Sequence, residues 1–103
     1  MVIAVVSKDG VHVDDHFGRA ERFLIYAVEE DTHTLLRSED VEKLSENDPS
    51  HKFNQKLFTR LLQALDGCER VYCTKIGEKP AQELKEAGIE PIVYSGPIAD
   101  ITL

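Results

Sequence analysis

The chain has 103 residues, of which 42% are apolar and 30% are charged, and its net charge is −7. This composition predicts one globular domain over residues 1–103, with enough large apolar side chains to form a core and too many for disorder. The longest apolar run, Val2–Val6, is too short to cross a bilayer, and the first residues lack the pattern of a signal peptide. We therefore expect a soluble, cytoplasmic protein. The acidic balance, without a basic stripe, argues against binding to nucleic acid.

The first half of the chain has the patterns of β-strands. Val2–Val6 is a β-branched run without alternation, which is typical of a strand covered on both faces. Asp9-Gly10 predicts a turn into a short partner strand at residues 11–13. Residues 14–21 predict a loop too polar to form core, after which residues 23–28 form the strongest strand pattern. Residues 34–41 are expected to return beside that strand at the edge of the sheet.

The second half alternates strands with helices. Asp48-Pro49 predicts the start of a helix whose apolar residues Phe53, Leu57, Leu61 and Leu65 repeat every four positions, with Gly67 as its end. A strand is predicted at 70–73 and a last strand at 89–94. Between them, Pro80 begins a second helix that Gly88 ends, with Ala81, Leu84 and Ala87 facing the core. This order predicts parallel pairing through right-handed crossovers, and hence an α/β fold with a mixed sheet of about five strands flanked by helices.

Ligands of such sheets bind beyond the carboxyl ends of the parallel strands, which here are followed by residues 7–9 and 73–77. Gly77 precedes the second helix, whose free N–H groups suit an anion, although Gly77 can equally serve only the turn from strand to helix. The polar loop holds the densest set of reactive side chains. His16 can bind a transition metal, Arg19 and Arg22 can offset the charge of an anion, and Gly18 permits a turn that other residues avoid. On chemistry alone, a loop histidine is more often simply solvated.

Two cysteines, Cys68 and Cys73, are too few for a disulfide framework, and their spacing favours two separate thiols. Cys73 ends the predicted central strand at the ligand edge, whereas Cys68 follows the first helix at the opposite edge. We expect Cys73 to matter more to a ligand, although either thiol can equally be a small buried apolar group.

The run from Ser7 to Tyr26, centred on His16-Phe17-Gly18-Arg19, resembles the signature of the dinitrogenase iron–molybdenum cofactor biosynthesis family, which includes NifX, NafY and the C-terminal domain of NifB. Residues 65–73, with both cysteines, are similar to NifX. Lys75-Ile76-Gly77 and the later Ala87-Gly88-Ile89 resemble the C-terminal domain of NifB. The resemblance extends over about residues 2–92. A cysteine that NifB domains often carry is absent, since Lys79 stands in its place.

This resemblance implies a ribonuclease H-like α/β fold and a carrier, rather than an enzyme, for iron–sulfur precursors or the iron–molybdenum cofactor in nitrogenase cofactor biosynthesis. The motif histidine is His16, the best candidate ligand of the cluster. We expect the binding site to comprise His16, Phe17, Gly18, Arg19 and Gly77, with His16 and Cys73 as metal ligands. The implied partners are the metal–sulfur cluster and other nitrogenase cofactor assembly proteins, but neither nucleic acid nor membrane. The protein is expected to be a monomer.

Other functions remain to be weighed against this one. A two-metal nuclease needs clustered carboxylates on the central strands, and residues 2–6 and 71–73 contain none. A cysteine hydrolase needs an acid that orients its histidine, and none is evident. The remaining alternatives are a family member that binds another metal–sulfur cluster, a protein-interaction module, and an excised C-terminal domain of NifB.

Overall fold

The structure is a computed structural model that describes residues 1–44 and 53–103. It confirms the α/β fold: a five-stranded mixed sheet has the order β4-β3-β1-β5-β6, with β1 antiparallel to β3 and parallel to β5, and β5 parallel to β6. The elements are β1 (Val2–Val6), β2 (His12–Val13), β3 (Arg22–Glu29), β4 (Thr32–Asp40), α1 (Gln55–Ala64), β5 (Arg70–Cys73), α2 (Glu78–Glu86), β6 (Glu90–Val93) and β7 (Gly96–Pro97), with 3₁₀ turns at Phe17–Arg19 and Ile98–Asp100.

Strand β1 lies at the centre of the sheet and is buried on both faces, as its unbroken apolar run predicts. Because side chains alternate along a strand, Ala4 and Val6 enter one core and Ile3 and Val5 enter the other. The core of Ala4 and Val6 contains side chains of both helices, so α1 and α2 cover the same face. The opposite face is covered by β2 and the segment that follows β6, which contributes Ile98 and Ile101.

The first helix begins at Gln55, after the non-helical residues Phe53 and Asn54, so Phe53 does not lie in the helix as the sequence predicted. The predicted cap and first turn at Asp48-Pro49 lie outside the described residues. Within the described part, the side-chain oxygen of Asn54 accepts a hydrogen bond from the Leu57 amide at 3.1 Å and caps the helix. No helix in residues 1–44 and 53–103 is long and apolar enough to cross a membrane.

The structure corrects three expectations. The strand at 12–13 pairs with β7 and not with β1, because its buried residue Val13 packs in the core with Ile98, on the face that β7 covers. Residues 14–21 are not all peripheral: Asp15, Phe17 and Ala20 are buried, so the polar loop contributes to the core. Ala87 is exposed, since α2 ends at Glu86 and only Leu84 of that helix is fully buried.

Candidate functional site

The candidate site is a short segment, residues 14–17, that lies across the carboxyl ends of β1 and β5. The Asp14 amide donates to the Val6 carbonyl at 3.3 Å, at the end of β1. The Thr74 amide then donates to the Asp15 carbonyl at 3.0 Å, and the Phe17 amide to the Lys75 carbonyl at 2.9 Å. The segment therefore continues the sheet where β1 stops, at the edge where ligands of parallel sheets bind.

His16 lies in the middle of this segment, in a parallel bridge with Lys75. Its backbone is extended, with φ −74° and ψ 147°, and its amide is bound by the Asp15 carboxylate at 2.8 Å. Successive side chains of an extended segment point to opposite sides, and both neighbours of His16 are buried while His16 is half-buried. The imidazole makes no hydrogen bond to the residues that the structure describes. Hydrogen bonds thus hold the backbone of this segment, while the His16 imidazole has no hydrogen-bond partner among the described residues.

The other residues of the motif have different surroundings. Phe17 is completely buried, and its ring packs on those of Phe23 and Phe58 at 5.8 and 6.4 Å between centroids. Gly18 lies in the 3₁₀ turn and is not among the glycines with positive φ, so the expectation that it adopts a backbone forbidden to other residues is wrong. Arg19 ends the same turn and is exposed. Packing of Phe17 thus holds the segment, and Arg19 is available to a ligand.

Cys73, the second predicted metal ligand, ends β5 and is fully buried. Burial raises the pKa of its thiol to about 11, although the nearby backbone amides of Lys75 and Phe17 oppose that shift. Phe17 and Lys75 are also the two residues whose backbones pair to hold the His16 segment, through the hydrogen bond from the Phe17 amide to the Lys75 carbonyl. The thiol therefore lies close behind this segment, and a direct bond to a metal requires the segment to move.

Cys68 lies in the same core and is 7% exposed, and burial likewise raises the pKa of its thiol to about 11. Both cysteines are free. The expectation of two separate thiols agrees with this arrangement. Cys68 precedes β5 at the amino end of that strand, so only Cys73 is near the His16 segment.

Gly77 is the N-cap of α2, has an extended backbone, and as a glycine has no side chain to accept a hydrogen bond from the first turn. The Ala81 amide donates to the Gly77 carbonyl at 3.1 Å, as in an ordinary helix start. Glu78 adds a negative charge to this first turn, which already complements the helix dipole. The structure brings Gly77 to the same edge of the sheet as His16, because it follows β5 by four residues.

Sequence reasoning missed the network that holds the loop between β1 and β2. The carboxylate of Asp14 accepts hydrogen bonds from the Lys8 and Asp9 amides at 2.8 and 3.3 Å. That of Asp9 accepts from the Val11 and His12 amides and contacts the His12 ring at 2.7 Å. These hydrogen bonds hold the pKa of Asp9 well below its usual range. The available signal was the Asp-Gly turn with a histidine three residues after the aspartate.

A cleft of about 240 Å³ opens beside the carboxyl end of β1. We call it the β1-end cleft. It is lined by the end of β1, by Asp15 and by the residues that lead from the 3₁₀ turn into β3, namely Val6, Ser7, Lys8, Asp15, Arg19, Ala20, Glu21 and Arg22. His16 does not line it.

In residues 1–44 and 53–103, no three His, Cys, Asp or Glu side chains are grouped so that they can hold a metal ion.

Comparison with known proteins identifies a family that the chain matches over nearly its whole length. The family described as "Dinitrogenase iron-molybdenum cofactor" matches residues 1–102. The chain is 34% identical over 94 residues to the FeMo cofactor biosynthesis protein NifB of Klebsiella pneumoniae, covering 89% of this chain and 20% of NifB. It is 32% identical over 93 residues to the protein NifX of Azotobacter vinelandii, covering 90% of this chain and 56% of NifX. The chain thus spans about a fifth of that NifB and just over half of that NifX.

The fold also has a counterpart among solved structures. The crystal structure of PH0822 superposes with a TM-score of 0.70 over 98% of this chain and 84% of the other, at 21% sequence identity. This likeness concerns the fold, because the sequences are distant.

Proposed function

Because this chain belongs to the dinitrogenase iron–molybdenum cofactor family, we propose that it binds and carries an iron–sulfur precursor or the iron–molybdenum cofactor, without catalysing a reaction. The cluster is its cargo, and other cofactor assembly proteins are its partners. Relatives named NifX and NifB support this role at the level of the family. A metal–sulfur cluster of another kind is the alternative cargo.

The observation that carries the proposal is the position of the His16 ring. Backbone hydrogen bonds on both sides hold His16 at the carboxyl edge of the parallel strands, while its imidazole has no partner in the described part of the chain. An imidazole nitrogen is a suitable ligand for iron in clusters, where histidine can replace cysteine. Since the backbone is already fixed, little conformational entropy is lost when the ring binds a metal.

We propose that Arg19 and Gly18 lie beside the bound cluster and that Gly77 faces it from the start of α2. Arg19 is exposed on the turn that follows His16, so its guanidinium can approach an anionic cluster. Phe17 supports the site from the core by packing. Cys73 as a second metal ligand stays a prediction that requires the segment above its thiol to open.

The test is anaerobic reconstitution of the purified protein with an iron–sulfur cofactor precursor, followed by gel filtration and measurement of bound iron and sulfide. The parent protein should retain about one cluster per chain or per dimer. The variant His16→Ala should lose most of the retained iron, because the hard carboxylates of Asp14 and Asp15 do not replace a nitrogen ligand.

The matched control is His12→Ala, which removes another imidazole from the same region but one that already contacts Asp9. This variant should retain most of the cluster. Circular dichroism of both variants checks that the fold is intact. Equal cluster content and equal release rates for His16→Ala and the parent protein would exclude His16 as the ligand.

A further inference from the structure

We propose that the β1-end cleft binds a small oxyanion that carries two or more negative charges, at a site separate from His16. Three cationic residues, Lys8, Arg19 and Arg22, are among those that line the cleft. This concentration of positive charge occurs in a chain whose net charge is −7. It therefore opposes the charge of the molecule as a whole, and a local excess of cations is what an anion requires.

The two carboxylates that also line the cleft each form an ion pair with a lysine. Asp15 is 7% exposed, and its carboxylate accepts the His16 amide at 2.8 Å and lies 3.6 Å from the Lys8 ammonium. Glu21 is paired with Lys43, outside the cleft, at 3.0 Å. The charge of Asp15 is thus balanced by Lys8 and that of Glu21 by Lys43, which leaves Arg19 and Arg22 as the cations of the cleft that can face a ligand.

The two arginines of the cleft have weaker interactions with the rest of the protein than the carboxylates have. Arg22 lies 3.7 Å from the carboxylate of Asp40, whose side chain is 90% exposed, so that pair is weak and screened by solvent. Arg19 forms neither an ion pair nor a side-chain hydrogen bond with the residues that the structure describes. A planar guanidinium donates two parallel hydrogen bonds to a carboxylate or phosphate, which makes Arg19 the main anchor of the anion.

The size of the cleft limits the ligand. Pockets for drug-sized molecules measure about 300–1,000 Å³, whereas this cleft measures about 240 Å³. It therefore suits an anion of roughly the size of phosphate or citrate. The backbone of the cleft is fixed on both sides, by β1 and by the turn that Phe17 holds in the core, so the cations are presented on a rigid frame.

The cleft does not contain His16, the proposed metal ligand, although Arg19 lies beside both the cleft and the proposed cluster site. Asp15 faces the cleft, and His16, the next residue of the extended segment, points to the other side. The proposal thus goes beyond cluster carriage and can be tested on the apoprotein, without any cluster. Failure to bind an oxyanion would leave the role of His16 untouched, and the reverse also holds.

The experiment is a titration of the isotope-labelled apoprotein with phosphate and, separately, with citrate, followed by amide NMR with sodium chloride at matched ionic strength as the reference. The amides of Ser7, Lys8, Arg19 and Ala20 should shift and saturate with a dissociation constant of about 1 mM or lower. Arg19→Gln should weaken binding about tenfold or more, because a charge-assisted pair is lost. Arg60→Gln removes an exposed arginine, 3.7 Å from Glu42, that does not line the cleft, and it should leave binding unchanged.

Saturation by either anion, with this difference between the two variants, supports the proposal, and the anion that binds identifies a phosphate or a carboxylate as the recognised group. Shifts that grow linearly up to about 10 mM, that chloride reproduces, or that both variants share would overturn it.

Discussion

At the scale of single residues, burial separates His16 from its neighbours in their ability to contact a ligand. Asp15 and Phe17 are buried, whereas His16 between them is half-buried. The sequence indicated His16 through its motif and through the chemistry of imidazole. It did not indicate that Phe17 is a core residue, because a lone aromatic side chain among charged residues gives no periodic pattern.

The two thiols should be nearly unreactive in the native apoprotein. Burial raises the pKa of each from 9.0 to about 11, so the thiolate fraction at about pH 8 falls by a factor of about 100. Because the neutral thiol is the favoured form in the fold, its contribution to stability is full below pH 9 and is lost as the pH rises toward 11. Labelling with iodoacetamide, located by mass spectrometry, should be at least 100-fold slower than in guanidinium chloride.

Cys68 is the internal comparison for Cys73, since it is also buried and its pKa is also raised, but it lies at the other end of β5. Rapid labelling of Cys73 alone would mean that the segment carrying His16 opens readily. That result would contradict a closed strand end and would favour Cys73 as a metal ligand.

At the scale of elements, the sequence predicted the strands and helices well where apolar patterns are strong. Strand β1 has the predicted bounds, and β5 coincides with residues 70–73. The partner of β2 could not be predicted, because a strand of two residues carries no register of its own and pairs with β7 through distant contacts. The position of residues 14–17 in the sheet could not be predicted either, because it depends on a hydrogen bond to the distant carbonyl of Lys75.

The two glycines at the ends of α2 provide a matched test of the backbone. Gly88 has φ +83°, where any side chain is strained, whereas Gly77 is extended and a Cβ there would lie 3.5 Å from Pro80, an ordinary contact. Gly88→Ser should lower the free energy of unfolding by about 1–2 kcal/mol. Gly77→Ser should leave it unchanged or raise it by a few tenths of a kcal/mol, because serine is a good N-cap.

Thermal unfolding measures both variants, and each 1 kcal/mol corresponds to about 4–8 °C in a domain of this size. An equal loss of stability in the two variants would mean that Gly77 also needs conformational freedom. If Gly77→Ser kept its stability but lost cluster retention, Gly77 would contact the cargo.

At the scale of the whole molecule, the mixed sheet and its central, doubly covered strand followed from the order of patterns along the chain. The elements that cover each face of the sheet could not be predicted from that order. Both helices cover one face, and the second face is closed by β2, β7 and the 3₁₀ turn at Ile98–Asp100, elements too short to give a pattern in sequence. The β1-end cleft was equally hidden, because it joins residues 6–8 to residues 15–22 through the fold.

The charge and the sheet together predict that this protein neither binds nor cleaves nucleic acid. Non-specific binding requires cations that neutralise several phosphates. The net charge here is −7, and seven of the twelve Lys and Arg side chains form an ion pair with a carboxylate. A two-metal nuclease on such a sheet places carboxylates on its central strands. Strands β1 and β5 contain no Asp or Glu.

Gel-shift titrations with duplex DNA and single-stranded RNA at about 150 mM salt should therefore show no complex up to about 100 μM protein, the weak end of non-specific binding. Incubation of the same nucleic acids with magnesium or manganese should give no cleavage. The oxyanion proposed for the β1-end cleft does not alter this expectation, because one small cationic site neutralises at most one or two phosphates and its affinity falls steeply with salt. A complex that survives at physiological salt would show that the described surface presents a cationic face beyond this cleft, and it would contradict a carrier role confined to small anionic cargo.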